Sequence, residues 1–314
     1  MTKKIAFLFP GQGSQSVGML NNLKQSSQYS SVYATACTEA EQALGQDLAH
    51  LIEQGPVEAL NLTVNTQPAM LLADVLVLRA WLAAGGEMPS MAAGHSLGEY
   101  AALVAAGVFS LSDGLGLVRI RAQAMQEAVP VGQGGMAAIL GLSDEQVKQA
   151  CQVGSKGSEV AQAVNFNAPS QVVIAGSALG VKAACEAAKA LGAKRALELP
   201  VSAPFHSSLM KPAAVKLEAA LEKIKFNRPQ CPVFNNIDVA VESDPDRIRD
   251  ALVRQAYGPV RWVETIEAMV AEGATQFVEC GPGKVLAGLV KRICDVPVAN
   301  IHDPDSIQAL LNAQ

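Results

Sequence analysis

Apolar positions in this chain fall into two patterns, and the difference separates strands from helices. Ile5 to Phe9 is an unbroken apolar run, as expected of a parallel strand buried on both faces. It ends in Pro10-Gly11-Gln12-Gly13-Ser14-Gln15, a turn. Residues 34–54 and 67–84 read as helices. Met91-Ala92-Ala93 reads as a short strand that runs into Gly94-His95-Ser96, followed by a helix to Ala106. Leu111, Leu115, Val118, Ala122, Met125 and Val129 recur at helical spacing and give one stripe on a helix over 112–128.

Beyond Val131-Gly132-Gln133-Gly134-Gly135, read as a hinge, the pattern changes. Residues 136–140 read as a strand. Ser143-Asp144-Glu145-Gln146 is a capping box that opens a helix. Two strands over 160–166 and 171–175 are joined by the turn Asn167-Ala168-Pro169-Ser170. Ser177 caps a helix to Leu191, and 195–199 is a last strand. The order βαββαβ is a ferredoxin-like unit. The expectation is a large α/β domain over 1–131 and 200–314, with a small domain inserted over 132–199. The second stretch reads as a helix over 207–224, a strand over 233–237 and helices over 245–256 and 259–272. A strand over 275–280 then leads through Gly281-Pro282-Gly283-Lys284 into a helix over 285–293.

Composition narrows the class. With 314 residues, half of them hydrophobic, the chain can bury a large core, and 4% aromatic content favours close helix-on-sheet packing. A net charge of −5 argues against nucleic acid as a partner. Six scattered cysteines without a C-x-x-C pair, and four histidines in all, argue against a metal site and suit a reducing compartment. The apolar run before Pro10 is too short for a secretory signal. The apolar stretch 70–82 carries Asp74 and Arg79 and is too short to span a membrane. A soluble, cytoplasmic, monomeric protein without cofactor is expected.

Gly94-His95-Ser96-Leu97-Gly98 matches G-x-S-x-G between strand and helix. A serine on that turn has its hydroxyl pushed outward, with helix N–H groups close to a developing oxyanion. Its weak hydroxyl needs a base. His50 sits in a helical stretch, His302 reads as a surface loop residue, and His95 adjoins the serine with its ring turned away. His206, in a Pro-constrained loop between strand and helix, is the best candidate. A hydrolase-type order of serine, acid and histidine would instead require His302, with an acid from 238–250; a serine esterase or thioesterase is therefore the alternative. Arg119 and Arg121 flank the apolar stripe on opposite sides, and periodicity does not choose between them. Gly11-Gln12-Gly13-Ser14-Gln15-Ser16 lacks the third glycine of a dinucleotide fingerprint.

Five motifs occur in order along the chain: FPGQGSQ at 9–15, GHSLGEY at 94–100, NFNAP at 165–169, APFHS at 203–207 and GPGK at 281–284. Together they resemble the malonyl-CoA:acyl carrier protein transacylases of bacterial fatty acid synthesis, over essentially the whole length. The resemblance implies a hydrolase-like parallel-sheet core with a ferredoxin-like insert. It implies Ser96 as nucleophile and His206 as base, with the main-chain carbonyl of Gln255 orienting the imidazole in place of an acid. It places the oxyanion against the N–H groups of Gln12 and Leu97, and it selects Arg121 for a substrate carboxylate. Asn167 and His95 become cleft residues. The implied partners are malonyl-CoA and a phosphopantetheinylated acyl carrier protein, in a fatty acid or polyketide pathway.

Overall fold

A computed structural model describes residues 3–201 and 203–313. Met1, Thr2, Gln314 and Ser202 of the loop before His206 lie outside the described residues. The chain opens with β1 (Ile5–Phe9), buried on both faces: Phe7 and Phe9 join one apolar cluster, Ala6 and Leu8 another. Four short-to-medium helices follow: α1 (Asn21–Gln25), α2 (Ser30–Leu44), α3 (Leu48–Gln54) and α4 (Val57–Leu60). The single helix expected over 34–54 is two. Gly45, at φ 61°, ends α2, and the Asp47 side chain caps α3.

Helix α5 (Thr63–Ala83) starts a turn earlier than the pattern suggests, because Pro68 is tolerated inside it. Its length and hydropathy would suit a membrane span, but 83% of that window is buried inside the protein. It is the central core helix. Then come β2 (Met91–Gly94), α6 (Gly98–Ala105) and α7 (Leu111–Glu127). The stripe Leu111, Leu115, Val118, Ala122, Met125 and Val129 on and just after α7 is buried throughout.

The middle of the chain builds a second sheet: β3 (Gly134–Leu140), α8 (Asp144–Gly154), β4 (Ala161–Ala168), β5 (Gln171–Ser177), α9 (Ala178–Ala190) and β6 (Arg195–Glu198). The capping box at Ser143 and the cap at Ser177 form as the sequence indicates. The strands are antiparallel in the order β4-β5-β3-β6, the ferredoxin-like arrangement, over a separate apolar cluster that includes Ile139, Val147 and Ile174. Gly134 and Gly135 belong to β3 rather than to a hinge. A Cβ on Gly134 would lie 2.4 Å from Pro204, so the glycine lets the loop carrying His206 pack onto this strand.

A 3₁₀ turn (Ser208–Met210) leads into α10 (Lys211–Leu221), then β7 (Val233–Phe234), α11 (Pro245–Gln255), α12 (Trp262–Ala271), β8 (Gln276–Cys280) and α13 (Val285–Ile293). Two further elements, β9 (Val298–Ile301) and α14 (Pro304–Asn312), are absent from the pattern reading. Asp303 caps α14 in a capping box with Ser306, with Pro304 in its first turn. The large sheet is all parallel, in the order β7-β2-β1-β8-β9. Strand β7 is shorter than expected because Asn235 and Asn236 leave the sheet, and Asn236 turns to the serine turn. The small sheet meets the large part along β4, where the Phe166 N–H donates to the Val260 carbonyl at 3.0 Å and the Val260 N–H to Val164 at 2.8 Å.

Candidate active site

The turn after β2 forms because two glycines let backbone pass where no side chain fits. A Cβ on Gly94 would lie 1.9 Å from the Gly98 carbonyl carbon, and one on Gly98 would lie 2.0 Å from the Phe9 carbonyl oxygen. Ser96 itself sits at φ 53°, the left-handed region that a non-glycine residue occupies at a cost of about 1–3 kcal/mol. The surrounding bonds hold it there. The Ser96 N–H donates to Asn236 Oδ1 at 2.7 Å, and the Ser96 carbonyl accepts from Gln255 Nε2 at 3.0 Å. Asn236 Nδ2 also donates to the Gly94 carbonyl at 2.8 Å.

These clamps share one carboxylate. Glu99, 2% exposed on α6, accepts from the Asn236 N–H and from Gln255 Nε2, both at 2.9 Å. Burial pushes its carboxyl up to about 7, opposed by these two donors and by the nearby Arg121 charge. The pattern reading missed Glu99 and Asn236 as site residues. Glu99 looks like an ordinary first-turn helix acid, and Asn236 sits inside a stretch that reads as strand. The Glu of the GHSLGEY motif was the one available signal.

His206 reaches the serine from the loop before α10. The Ser96 hydroxyl donates to His206 Nε2 at 2.6 Å. On the far side Nδ1 faces two acceptors, the Gln255 carbonyl at 2.8 Å and the Gly258 carbonyl at 3.2 Å. Carbonyls only accept, so the proton is assigned to Nδ1 and Nε2 carries the lone pair. Burial, helped by the Arg121 charge, lowers the imidazole to about 3, so the ring is neutral near pH 7. His206 too has a positive φ, at 63°. His50 lies on α3, and His302 pairs with Asp303 between β9 and α14; neither lines this cleft. Asp238, an acid from the segment a hydrolase-type triad would draw on, is engaged by Arg254. The serine–acid–His302 triad is therefore not assembled.

The two arginines part company in the structure. Arg119 donates to Gln46 Oε1, away from the serine. Arg121 is 3% exposed and points into the cleft. Its Nη2 lies 3.2 Å from Ser96 Oγ and 3.1 Å from Gln255 Oε1, and its Nη1 donates to Gln67 Oε1 at 2.8 Å. These partners are all neutral. Its Nε is buried without a partner among the described residues, and Tyr100 lies under the guanidinium at 5.6 Å. A buried cation without a carboxylate pair is costly, and a carboxylate arriving in the cleft would supply the missing charge.

The cleft has a volume of about 230 Å³. Gln12, Leu97, Ser96 and Arg121 line it from the large part, and Met136, Asn165, Asn167 and Val173 from the small sheet. Gly11 packs where a Cβ would lie 2.5 Å from the His95 carbonyl oxygen, which brings the turn after β1 against the serine turn. Neither the Gln12 nor the Leu97 main-chain N–H finds a protein acceptor among the described residues. His95 Nε2 and Asn167 Oδ1 are 2.8 Å apart, and the ring rests edge-on against Trp262. Every residue that the resemblance nominates thus lies at or beside one cleft. Gln67, Glu99, Asn236 and Gly258 join them.

A lone-pair imidazole on the hydroxyl of a serine at positive φ, unengaged N–H groups at the same cleft and a buried guanidinium beside the serine are the parts that nucleophilic acyl transfer would use. The family described as acyl transferase domain matches residues 6–303, and the chain belongs to it. A malonyl CoA-acyl carrier protein transacylase of Escherichia coli is 53% identical over 309 residues, covering 98% of this chain and 99% of that protein. Its counterpart from Bacillus subtilis is 46% identical, covering 97% and 95%. Among solved structures, an acyl-carrier-protein S-malonyltransferase from Burkholderia pseudomallei superposes with a TM-score of 0.95 at 59% identity, covering 98% of this chain and 99% of that one. A malonyl-transacylase in complex with a holo type II PKS acyl-carrier protein superposes with a TM-score of 0.96 at 49% identity, covering 99% and 100%.

Proposed function

We propose that this chain transfers the malonyl group of malonyl-CoA to the phosphopantetheine thiol of an acyl carrier protein, through a malonyl ester on Ser96. The observation that carries the reading is the buried Arg121 guanidinium, whose hydrogen-bond partners are all neutral, 3.2 Å from the Ser96 hydroxyl. The full-length relatives bear names with the same activity.

Ser96 Oγ attacks the thioester carbonyl while His206 Nε2 takes its proton. The oxyanion meets the N–H groups of Gln12 and Leu97. The carbonyls of Gln255 and Gly258 stabilise the transient imidazolium through Nδ1–H. Collapse breaks the C–S bond, and His206 returns the proton to the departing CoA thiolate. The carrier thiol then gives its proton to His206 and attacks the ester, and Ser96 leaves with that proton. The two half-reactions share one site, so the kinetics are ping-pong. Arg121 holds the malonyl carboxylate with two charge-assisted bonds. Asn167 and His95 shape the cleft wall. The reaction so written needs only side chains and main-chain N–H groups, without a cofactor.

In this reading residues 132–199 form the inserted domain, between 1–131 and 200–314, and the enzyme is a cytoplasmic monomer. Support for the monomer is that one chain supplies every group the mechanism uses. The test is intact-mass measurement after mixing with malonyl-CoA, followed by addition of holo carrier protein. A malonyl adduct that maps to Ser96 and is discharged by the carrier thiol is expected. An adduct that only hydrolyses, indifferent to the carrier, would make the chain an esterase.

A further inference from the structure

A chain of hydrogen bonds, buried up to Thr63, joins the Arg121 guanidinium to the turn that carries Gln12. Arg121 Nη1 donates to Gln67 Oε1 at 2.8 Å, Gln67 Nε2 donates to Thr63 Oγ1 at 3.1 Å, and Thr63 Oγ1 donates to Gln12 Oε1 at 2.9 Å. The direction of the first two links is fixed at the arginine end. A guanidinium can only donate, so Gln67 must present its oxygen there and its nitrogen to Thr63. The Thr63 hydroxyl, which accepts from Gln67, donates onward to the Gln12 Oε1 that faces it. All donors therefore point away from the cation, and each link polarises the next. Gln67 and Thr63 are each 2% exposed, so water does not compete for the two links that Gln67 makes.

The far end of the chain is the part that needs fixing. Gln12 is exposed and lies between Gly11 and Gly13, and Gly13 has a φ of 109°. Neighbouring side chains thus do little to set the direction of the Gln12 N–H. Among the described residues, the Thr63 hydroxyl is the one hydrogen-bond partner of the Gln12 side chain. Thr63 and Gln67 lie on consecutive turns at the start of α5, which is locked in the core.

We infer that Thr63 and Gln67 are positioning residues that couple occupation of Arg121 by an acyl carboxylate to placement of the Gln12 N–H on the oxyanion. This rests on the malonyl-transfer reading above. A carboxylate on Arg121 changes how the guanidinium bonds to Gln67, and the ordered chain carries that change to the opposite side of the reacting carbonyl. An acetyl group makes no such contact. Part of the preference for malonyl over acetyl then arises in the acylation step, not only in binding.

The experiment measures single-turnover acylation of Ser96 by malonyl-CoA and by acetyl-CoA. Thr63→Val keeps the shape of the side chain and removes the hydroxyl. It should slow malonyl acylation about tenfold, the scale of one lost hydrogen bond. Acetyl acylation should fall less, so the malonyl-to-acetyl ratio of rate constants narrows, with malonyl-CoA affinity nearly unchanged. Thr63→Ser should restore the ratio. Gln12→Met, which keeps the main-chain N–H on an exposed side chain, should match Thr63→Val and covers the case in which the threonine variant folds poorly. Equal slowing with both thioesters, failure of serine to rescue, or a loss confined to malonyl-CoA affinity would overturn the coupling. Wild-type protein that gains no malonyl adduct would instead overturn the underlying reading.

Discussion

The two walls of the cleft are built to different tolerances. On the large-sheet side the serine turn is pinned at its amide by Asn236 and at its carbonyl by Gln255, and both clamps share Glu99. Gly94 and Gly98 leave no room for even one added carbon. On the small-sheet side the strand that faces the serine, β4, breaks register twice, between Ala163 and Asn165 and between Phe166 and Ala168. Its polar link to the serine turn is the pair Asn167–His95. Bulges re-aim side chains at the cost of regular pairing. Reacting atoms must be placed to fractions of an ångström, whereas a wall that fits an acyl chain can give. The contrast assigns chemistry to the first wall and fit to the second.

Removing the rigid wall's reacting groups is the strongest way to break this assignment. Ser96→Ala should abolish the acyl adduct and nearly all transfer. His206→Ala should slow transfer by roughly 10²–10⁴-fold, while His50→Ala and His302→Ala leave it largely intact. Malonyl adducts that persist on Ser96→Ala protein, seen by intact mass, would remove the serine turn from the mechanism.

Arg121→Ala should come next in size. Malonyl transfer should fall by about 100-fold or more, as expected for a lost bidentate charged contact worth about 3 kcal/mol. Acetyl transfer should hold or rise, because the variant no longer leaves a buried cation unpaired. Arg119→Ala, whose partner is Gln46, should change little. Parallel loss for malonyl and acetyl would reduce Arg121 to a support for the fold.

The pH profile sharpens the same contrast. Burial and the Arg121 charge lower His206 to about 3, so the base is already neutral well below pH 7. Acylation should therefore show no His206 inflection between pH 5 and 8. Its acid limb should move upward in Arg121→Ala, since the cation that disfavours the imidazolium is gone. Glu99, raised to about 7, is the group expected to titrate in the neutral range. An inflection there should vanish in Glu99→Gln. The linkage to stability runs in opposite senses for the two groups. The lowered His206 contributes stability above its unfolded value of about 6.5, lost as pH falls toward 3. The raised Glu99 contributes below its unfolded value of about 4.3 and loses that contribution as pH rises through 7. A limb that follows His206 substitutions at neutral pH would contradict this ordering.

What could be read in the sequence follows from how far each signal reaches along the chain. The serine turn, the capping box at Ser143 and the βαββαβ order are local patterns and were legible as such. Ser96 stood out because its strained turn needs glycines at fixed spacing, and His206 because only four histidines had to be weighed; the structure brings the two side chains within 2.6 Å. Arg121 could not be told from Arg119 by periodicity, since both flank one stripe and only tertiary packing buries one of them. Asn236 reads as strand because its value lies in a bond to Ser96, 140 residues away. Thr63 and Gln67 look like ordinary polar residues ahead of Pro68 at the start of a helix, and the role inferred for them depends on α5 being packed against the turn after β1. Strand β9 and α14 were missed although Asp303-Pro304-Asp305-Ser306 is a helix-start signature. Those two elements carry none of the cleft.

The smallest expected effect tests the tolerant wall directly. Asn167 meets His95 at 2.8 Å, and His95 in turn rests on Trp262 and donates its main-chain N–H to the Phe9 carbonyl at 3.0 Å. When Asn167 is truncated the His95 ring keeps its contact with Trp262, and the His95 main chain keeps its bond to Phe9. Burial lowers its pKa, so the imidazole stays neutral near pH 7 and the lost contact is a neutral one. Such a bond contributes about 1 kcal/mol, which corresponds to roughly fivefold in rate. Asn167→Ala should therefore slow malonyl transfer by no more than about fivefold and raise KM more than it lowers kcat. Enlarging the cleft at this point should also admit a bulkier acyl group, so methylmalonyl transfer should suffer less than malonyl transfer. Steady-state kinetics with both thioesters measures this. A loss approaching that of His206→Ala would place Asn167 with the reacting groups and erase the distinction between the two walls.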